Sequence, residues 1–524
     1  MDGMISAQLK TSIHEQLKTN RRETDGHLYT LPSPSAYPYQ WLWDSCFHAL
    51  MWRHFDIEMA KEELRSLTVR QWKNGMIPHM HYWNPTPNVM RVDWGHDGTS
   101  ALTQPPLLAV AAWRIYQTDG DVSFLLEMYP AIARFHQYLL TRRLPGRDLI
   151  GIINPDESGE DNSPRYDTAL DLPPQHPVEH HSKKRFALFK KHVDCQHDAP
   201  GCTSAHFWSE DVPFNSFFIW NSEILADIAE VCGNQQGATR WRAAAAEIKD
   251  AMRTHLFHNG IFQSSYNTAG ALAKVNSWSQ FAPLVAGLYS KEEAAQIVAQ
   301  NLLDKDQFWT EYPLPTVARN DATYAPEEPE YGDPWQHPHW RGPVWLAPNW
   351  TVFHGLLRYG FTDVAKKLRE RSIALVEHGG LREYYHPETG AGMGAEGFTW
   401  GGLILDMDST QLQKPLPQNL PAVRYTESTH TMKPDTANSS LFLSLVIPCS
   451  RSGLAAVECA EQVRSVLDTY LPEQYEIITV VKKQEAPAER PTHPIQILEI
   501  EDDAGLSFGH GWKQARGNVL GVVD

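Results

Sequence analysis

The spacing of apolar residues predicts that residues 40–410 are mainly helical. In five segments, apolar side chains recur every three or four positions, which is the period of an amphipathic helix. These segments are 123–144, 221–233, 236–257, 290–303 and 362–380. Ser290, with Glu293 further along the chain, has the pattern of a capping box at the start of one of them. Runs that alternate in the manner of a β-strand are few in this part of the chain.

Long polar loops separate these predicted helices and are rich in Trp, Tyr, His, Pro and Gly. They cover residues 72–106, 151–215, 309–350 and 381–400. Long loops on a rigid helical scaffold are where binding and catalytic sites are usually built. We therefore expect the functional residues in and beside these loops.

The pattern changes after residue 410. Residues 411–437 are rich in Pro, Thr and Gln and show no periodicity, which is typical of a linker. Beyond it, strand-like runs alternate with helical patterns, which predicts a small parallel α/β segment over 438–524. The predicted strands are 441–448, 475–481, 494–500 and 519–524, and the predicted helices are 453–471 and 509–518.

Composition excludes several classes of function. The chain has 524 residues, of which 42% are hydrophobic and 21% charged, as in a soluble globular protein. Its net charge of −17 repels phosphate backbones, so we expect no nucleic-acid partner. The N-terminus lacks the apolar core of a secretion signal, and no stretch reaches the roughly 18 apolar residues of a membrane span. Six cysteines without a Cys-x-x-Cys pair fit a reducing compartment, so we expect a cytoplasmic protein without a membrane partner. The oligomeric state is left open.

Tryptophan is common, with 18 residues, and all but Trp512 precede residue 401. An indole stacks on the C–H face of a sugar ring while its N–H donates to a hydroxyl. Large aromatic side chains also fill the centre of a helical domain. Both interpretations are open from composition alone.

Carboxyl groups crowd the loop 154–167, beside Arg165. They include Glu157, Glu160, Asp161 and Asp167. Cleavage of an acetal needs one carboxyl that stays protonated until it donates to the leaving oxygen, and burial beside other negative charges favours that state. On charge alone, a solvated acidic loop or a helix cap is the better interpretation.

A glycine-rich stretch within 382–406 leads to Glu396 and then to a helix through Phe398 and Trp400. A lone carboxylate in an aromatic setting suits a residue that activates water. The alternative is a glutamate at a helix start that interacts with the helix dipole.

Two further segments place a charged group among tryptophans. Asp44 follows Trp41 and Trp43 at the start of a predicted helix, and Arg341 lies in the segment HWRGPVWLAPNW, 339–350. Such a frame suits binding of a polyhydroxyl ligand, and it equally suits a packed core with one paired ion.

In their order along the chain, the pieces WLWD, ESGEDNSPRYD, WRGPVW and GAEGFTW resemble glycoside hydrolase family 63 and the related trehalases of family 37. The resemblance covers about residues 30–410. Within that group the chain is most similar to bacterial glucosylglycerate and mannosylglycerate hydrolases.

The resemblance implies an all-α (α/α)6 toroid and hydrolysis of a small α-glucoside or α-mannoside with inversion. It implies that Asp161 is the general acid and Glu396 the general base, and that no cofactor or metal is needed. The candidate substrate-binding residues are Trp41, Trp43, Asp44, Tyr82, Gln104, Arg165, Trp340, Arg341, Trp345 and Trp400. A trehalase-like or oligosaccharide α-glucosidase and a non-catalytic carbohydrate-binding toroid are the alternatives.

Two neighbouring features stay open to a second interpretation. Five potential metal ligands lie close together, but their spacing matches no standard zinc pattern, so we expect no metal. They are His192, Cys195, His197, Cys202 and His206. The basic run Lys183, Lys184 and Arg185 is typical of a solvated face, although it would also attract a carboxylated substrate such as a glyceric-acid glycoside.

The last segment resembles the opening of a family 2 glycosyltransferase, on the pieces SLVIPCSRS, YEIITVV and GHGWKQARGNVLGVVD. In that family the last strand leads into an Asp-x-Asp motif, and this sequence ends at Asp524, where the motif would begin. The resemblance implies an incomplete nucleotide-diphospho-sugar transferase-like α/β segment that does not transfer sugar alone. A bifunctional hydrolase–glycosyltransferase is a further alternative.

Overall fold

A computed structural model describes most of the chain up to residue 408, together with four strands beyond it. The described residues are 5–83, 98–144, 146–174, 176–199, 201–327, 339–408, 443–448, 475–482, 495–500 and 519–522. The chain divides into two compact units, residues 1–427 and 428–524. This division falls inside the predicted linker.

The described part of the first unit is mostly helical. Its α-helices are α1 (Ala7–Asn20), α2 (Leu42–Trp52), α3 (Ile57–Thr68), α4 (Leu108–Asp119), α5 (Val122–Arg142), α6 (Val178–Asp194), α7 (Val212–Val231), α8 (Gln235–His255), α9 (Lys291–Ile297), α10 (Leu346–Arg358) and α11 (Thr362–Gly379). Consecutive helices pack in pairs, namely α2 with α3, α4 with α5, α7 with α8 and α10 with α11. This arrangement is consistent with the predicted toroid of paired helices.

Capping residues explain where several helices begin. The side chain of Ser290 accepts a hydrogen bond from the Glu293 N–H, and the Glu293 carboxylate accepts one from the Ser290 N–H, so the predicted capping box is present. Helix α7 begins earlier than the periodicity indicated because Asp211 caps it, accepting from the Phe214 N–H at 3.2 Å. Pro213 lies in its first turn, where a missing N–H has no cost.

Short antiparallel strands accompany the loops between these helices. They are β1 (Arg21–Thr24), β2 (His27–Thr30), β3 (Gln40–Trp41), β4 (Met80–His81), β5 (Ser209–Glu210), β6 (Phe257–His258), β7 (Ile261–Phe262), β8 (Ser265–Tyr266), β9 (Ala271–Leu272), β10 (Arg382–Tyr385) and β11 (Gly392–Glu396). They pair as β1–β2, β3–β4, β5–β8–β9, β6–β7 and β10–β11. The hairpin of β10 and β11 carries residues of the candidate site.

The described part of the second unit is a parallel sheet. Its strands are β12 (Leu443–Pro448), β13 (Tyr475–Lys482), β14 (Ile495–Ile500) and β15 (Val519–Val522), in the order β14–β13–β12–β15. The predicted helices 453–471 and 509–518 lie outside the described residues. The α/β assignment of this unit therefore stays a prediction.

Most of the interior is one apolar core in the first unit. Every residue of α2 is buried, and large indoles such as Trp52, Trp241 and Trp350 are fully enclosed. In the described part of the chain, no helix combines the length and the apolar composition needed to cross a membrane.

The cysteines do not all have the reduced form expected of a protein in a reducing compartment. Cys195 and Cys202 form a disulfide, whereas Cys46 and Cys232 are free and buried. A turn after α6 brings the first pair together, with Cα atoms 5.5 Å apart, a separation within the usual range for a disulfide. A spacing of this kind depends on the turn geometry and cannot be read from the sequence.

Candidate active site

One cavity of the first unit combines aromatic walls with four carboxyl groups. It encloses about 550 Å³, including the part open to solvent. Its aromatic lining is Tyr37, Trp41, Trp43, Trp340, Trp345, Phe398 and Trp400, and its acidic lining is Asp44, Asp156, Asp161 and Glu383. Concave sites with a few convergent polar groups are where small ligands bind.

Most of the predicted sugar contacts meet in this cavity. Those that line it are Trp41, Trp43, Asp44, Gln104, Trp340, Trp345 and Trp400, together with the predicted acid, Asp161. Among the described residues, Tyr82, Arg165, Arg341 and Glu396 lie outside the lining. The loops identified from the sequence therefore converge, although four of their residues take other places.

The tryptophans form two walls. The rings of Trp340 and Trp345 are stacked with centroids 4.1 Å apart, and Trp43 meets Trp400 edge to face at 4.9 Å. Packing of this kind fixes the indoles in place, so the ring faces that line the cavity are preorganised for a ring-shaped ligand. The N–H groups of Trp345 and Trp400 donate to the His339 carbonyl and to Asp44. Tryptophan thus serves both purposes left open by composition, in the core and at the cavity.

Asp44 stands in the first turn of α2 and is almost fully buried. Its Oδ1 accepts a hydrogen bond of 2.8 Å from the Trp400 indole. Burial raises the pKa of Asp44 to about 6, while nearby His48 and the Trp400 hydrogen bond oppose the rise. A buried carboxyl with a free edge in the cavity suits a hydrogen bond to a sugar hydroxyl.

A short 3-10 turn, Pro155–Ser158, carries Asp156 and is held in place by hydrogen bonds to its second acidic residue, Glu157. The buried Glu157 accepts two hydrogen bonds of 2.7 Å from Arg143, and its oxygens also accept from the backbone of Thr103 and Ile153. Such a paired, buried carboxylate is a structural anchor and leaves no free oxygen for proton transfer.

Glu160 is a second structural carboxylate. Arg165 donates to both of its oxygens, at 2.9 and 3.0 Å, and the Trp278 indole donates at 2.8 Å. Arg165 also bonds Asp211 at 3.1 Å. The prediction that Arg165 contacts substrate is therefore wrong for this structure, because its guanidinium is buried and bonded to Glu160 and Asp211.

Arg341 and Tyr82 also differ from prediction. Arg341 donates to both oxygens of Asp167, at 3.0 and 2.7 Å, and lies outside the cavity lining. It thus orients the segment that carries Trp340. Tyr82 is buried and packs edge to face on Tyr39, with ring centroids 5.1 Å apart. Neither residue lines the cavity.

Arg185 reaches the cavity from α6 and pairs with two of its carboxyl groups. The guanidinium bonds Asp161 and lies 3.2 Å from Asp156. Burial raises the pKa of Asp156, and the Asp161 charge adds to the rise. Burial also acts to raise the pKa of Asp161, but the charges of Arg185 and His339 outweigh it and hold this pKa below its usual range. The expectation of a solvated face thus fails at Arg185, whose side chain is only 8% exposed.

The predicted general base, Glu396, does not face the cavity. Its side chain is 83% exposed and its carboxylate pairs with Arg382 at 2.7 Å. The two residues are opposite each other in the β10–β11 hairpin. The prediction of Glu396 as base is therefore wrong, because Glu396 ends β11 with its side chain on the exposed face of the hairpin, where it pairs with Arg382.

Glu383 occupies the position that Glu396 was expected to fill. It follows Arg382 in β10, so its side chain points to the opposite face. It is buried, lines the cavity, and accepts hydrogen bonds from the Tyr37 hydroxyl at 2.5 Å and the Ala395 N–H at 2.8 Å. Burial and the Glu383 charge raise the pKa of Tyr37, so its hydroxyl stays protonated and donates.

The sequence analysis also missed other cavity residues. These are Pro32, Tyr37, Asp156, Gly159, His339 and Phe398. A signal for Glu383 was present in the sequence. The run REYY is followed by the turn HPETG and a second short strand, and a hairpin places alternate residues on opposite faces. Tyr37 and Asp156 carry no such signal, because nothing local distinguishes them from other loop residues.

The chain is similar to known proteins along most of its length. Residues 37–401 match the model of the mannosylglycerate hydrolase MGH1-like glycoside hydrolase domain. The mannosylglycerate hydrolase of Thermus thermophilus is 31% identical in an alignment of 419 residues that covers 72% of this chain and 95% of that protein. The glucosylglycerate hydrolase of Mycolicibacterium hassiacum is 27% identical, covering 74% of this chain and 95% of that protein.

Solved structures show the same relationship. The crystal structure of a family 63 mannosylglycerate hydrolase from Thermus thermophilus, in complex with Tris, has a TM-score of 0.67 and 30% sequence identity to this chain. The match covers 76% of this chain and 99% of that one. A sialidase with a TM-score of 0.52 and 15% identity shares the fold alone. Since the family match spans most of the chain, the protein belongs to the MGH1-like glycoside hydrolase family and is a glycosidase, as its resemblance to family 63 implied.

Proposed function

We propose that the protein hydrolyses a small α-glycoside of glyceric acid, either an α-mannoside or an α-glucoside, with inversion at the anomeric carbon. Asp161 is the general acid in this proposal and Glu383 the general base. The observation that carries it is that these two carboxyl groups line one tryptophan-walled cavity. An inverting enzyme needs its two carboxyl groups about 6.5–9.5 Å apart, so that a water molecule fits between the base and the sugar.

The surroundings of Glu383 suit a base. Hydrogen bonds donated to a carboxylate favour its charged form, and the Tyr37 hydroxyl and the Ala395 N–H supply two of them. They also fix the direction of the carboxylate. In this role Glu383 takes a proton from water as the water attacks the anomeric carbon.

The surroundings of Asp161 suit an acid that is activated when substrate binds. A general acid must hold its proton, whereas the contact with Arg185 favours the charged carboxylate. The carboxylate of a glyceric-acid aglycone would draw the guanidinium away from Asp161, because Arg binds carboxylates through paired hydrogen bonds. The pKa of Asp161 then rises and the proton becomes available to the leaving oxygen. This coupling favours an acidic aglycone.

The names of the relatives support this substrate class. Proteins called mannosylglycerate hydrolase and glucosylglycerate hydrolase match most of this chain. Structures of the Thermus thermophilus protein have been solved with Tris and D-glycerate and with glucose. The choice between mannose and glucose depends on one hydroxyl of the sugar, and the proposal leaves it to experiment.

A substrate panel followed by proton NMR tests the proposal. The panel contains mannosylglycerate, glucosylglycerate, trehalose, an α-linked glucose oligosaccharide, and glucosylglycerol, which lacks the carboxylate. We expect the glyceric-acid glycosides to be cleaved with the highest kcat/KM and the β-anomer to appear first. First release of the α-anomer would contradict inversion, and a preference for trehalose or the oligosaccharide would point to the alternative α-glucosidases.

Two finer statements stay predictions. The segment 438–524 is proposed to be transferase-like, and the parallel order of its strands supports that assignment. Titration of the chain with a nucleotide-diphospho-sugar and Mn²⁺ tests whether it binds such a donor. A cytoplasmic location is tested by fractionation of the source cells.

A further inference from the structure

A second group of reactive side chains lies at the C-terminal end of α6, apart from the catalytic cavity. The sulfur atoms of Cys195 and Cys202 and a ring nitrogen of His206 all lie within 4.8 Å of one another. Cys195 is buried, whereas Cys202 and His206 are exposed. Two sulfurs and an imidazole at this separation are a ligand set that Zn²⁺ prefers.

We propose that Cys195, Cys202 and His206 bind Zn²⁺ once the disulfide is reduced. A small dithiol reductant transfers two electrons and two protons to the two sulfurs and becomes a disulfide itself. Zn²⁺ then displaces the two thiol protons and binds both thiolates and the neutral imidazole. Because two of the three ligands are exposed, water fills the fourth position of the tetrahedron.

The backbone holds these ligands together without the S–S bond. The N–H groups of Cys202 and Thr203 donate to the Asp198 carbonyl at 3.1 and 3.0 Å. The Thr203 hydroxyl donates to the carbonyls of Asp198 and Ala199, both at 3.0 Å. The N–H of Cys195 donates to the Lys191 carbonyl at 3.0 Å, which continues α6 up to the first ligand. Cleavage of the disulfide therefore frees the thiols while the turn that positions them keeps its own hydrogen bonds.

The same helix end contacts the start of the loop 154–167, which carries the proposed acid Asp161 and is called the catalytic loop below. His192 is buried, its Nε2 lies 3.0 Å from the Ile153 carbonyl, and its Nδ1 has no hydrogen-bond partner among the described residues. Ile153 immediately precedes the segment that carries Asp156. A bound ion would thus stabilise the end of α6 where His192 contacts Ile153. The same helix carries Arg185.

Titration with Co²⁺ tests the site directly, because cobalt replaces zinc and gives a thiolate-to-metal charge-transfer band. The full chain is reduced, freed of metal by a chelator, and titrated with Co²⁺ and then with competing Zn²⁺. We expect one equivalent to produce the band and Zn²⁺ to remove it. We expect Cys202→Ser to lose the band and His206→Ala to weaken binding by more than about tenfold, as for the loss of a metal contact.

Two controls locate the ion. His180→Ala changes an exposed histidine on the same helix outside the cluster and is expected to bind as the unchanged protein does. The oxidised chain is expected to give no band. Thermal unfolding of each variant shows whether it is folded, and folding is expected because Cys202 and His206 are exposed.

The proposal is overturned if the reduced chain gives no charge-transfer band. It is equally overturned if Cys202→Ser binds Co²⁺ as tightly as the unchanged chain, since the metal would then sit on other cysteines. Those other cysteines are Cys46, Cys232, Cys449 and Cys459.

Discussion

At the residue scale, the carboxyl groups of this site differ in their access to the cavity more than in their pairing with arginine. Glu157, Glu160 and Asp167 each meet an arginine through two hydrogen bonds and lie outside the cavity lining. The Asp161 side chain is 28% exposed and opens on the cavity, although it also meets an arginine. Access to the cavity therefore separates Asp161, the proposed acid, from the carboxylates that hold the loop together.

Substitution of the proposed acid should depend on the leaving group. We expect Asp161→Asn to lower kcat on a glyceric-acid glycoside by about 10²–10⁴-fold, because proton donation is lost. An activated aryl glycoside needs little proton donation and should lose much less. Steady-state kinetics on both substrates make the comparison. Unchanged turnover of the natural glycoside would transfer the role to Asp156, which is the other carboxyl of that loop in the cavity.

The two candidate bases give a matched pair of variants. We expect Glu383→Gln to abolish turnover while substrate binding stays measurable by calorimetry, because the tryptophan walls and Asp44 are intact. Glu396→Gln should keep kcat/KM within about twofold, since it breaks only an exposed ion pair with Arg382, which is worth about 1 kcal/mol or less. The reverse result, with Glu396→Gln inactive and Glu383→Gln active, would reject the assignment made from the structure.

Removal of Arg185 should shift the alkaline limb of the kcat/KM pH profile to higher pH. Arg185 helps to hold the pKa of Asp161 below its usual range, so Arg185→Ala raises that pKa. The acid must be protonated to act, and its pKa sets the alkaline limb of kcat/KM. With the uncharged substrate glucosylglycerol, we therefore expect this limb to move to higher pH.

A neighbouring lysine supplies the control for that experiment. Lys184 lies next to Arg185 on α6, but its side chain is 48% exposed and its ion pair among the described residues is with the exposed Asp171, at 3.7 Å. Lys184→Ala should leave the profile unchanged. A shift toward lower pH in Arg185→Ala, or equal shifts in both variants, would contradict the coupling between Arg185 and Asp161.

At the scale of elements, close approach of the catalytic loop to Trp43 depends on one glycine. Gly159 has a φ of +72°, and a Cβ there would lie 2.3 Å from the Trp43 ring. Gly159→Ala must therefore push the ring or the loop aside, in addition to the roughly 1–2 kcal/mol of backbone strain at positive φ. We expect a lower unfolding midpoint and a loss of kcat of more than about tenfold, since small displacements at reacting groups are costly.

Gly120 provides a control that separates backbone strain at positive φ from the steric clash with Trp43. It ends α4 with a φ of +75°, and a Cβ there would meet no atom within 4 Å. Gly120→Ala is expected to lower the unfolding midpoint with kcat unchanged. Equal kinetic losses in both variants would show that general destabilisation, and not displacement of the loop, limits turnover.

At the scale of the whole molecule, the chain divides into two units, and the family match lies within the first. We expect a chain ending at Gln413 to stay folded and to keep the kcat of the full chain, because the apolar core and the cavity both belong to residues before that point. Circular dichroism and steady-state kinetics check this. Loss of helical signal in the shortened chain would show that the units fold together.

The sequence alone was sufficient for a mainly helical first unit, for the family and for about half of the cavity lining, although helix α6 lies in the segment 151–215 that was interpreted as a loop. Amphipathic periodicity predicted the helices because a helix in this fold must bury one face, and that requirement acts locally. The motifs pointed to Asp161, Asp44 and several tryptophans because each lies in a short segment of distinctive residue types, and these residues line one cavity.

Only the tertiary structure decided which carboxylates line the cavity and which ones are paired outside its lining. Glu383 and Glu396 lie on the same hairpin, and strand alternation together with the pairing of Arg382 and Glu396 sends one inward and the other outward. Arg165 and Arg341 were indistinguishable from sugar contacts until their buried partners were known, and Arg185 was indistinguishable from a surface charge. The reason is physical: ion pairing and access to a cavity are set by residues distant in sequence, whereas periodicity and capping depend on near neighbours.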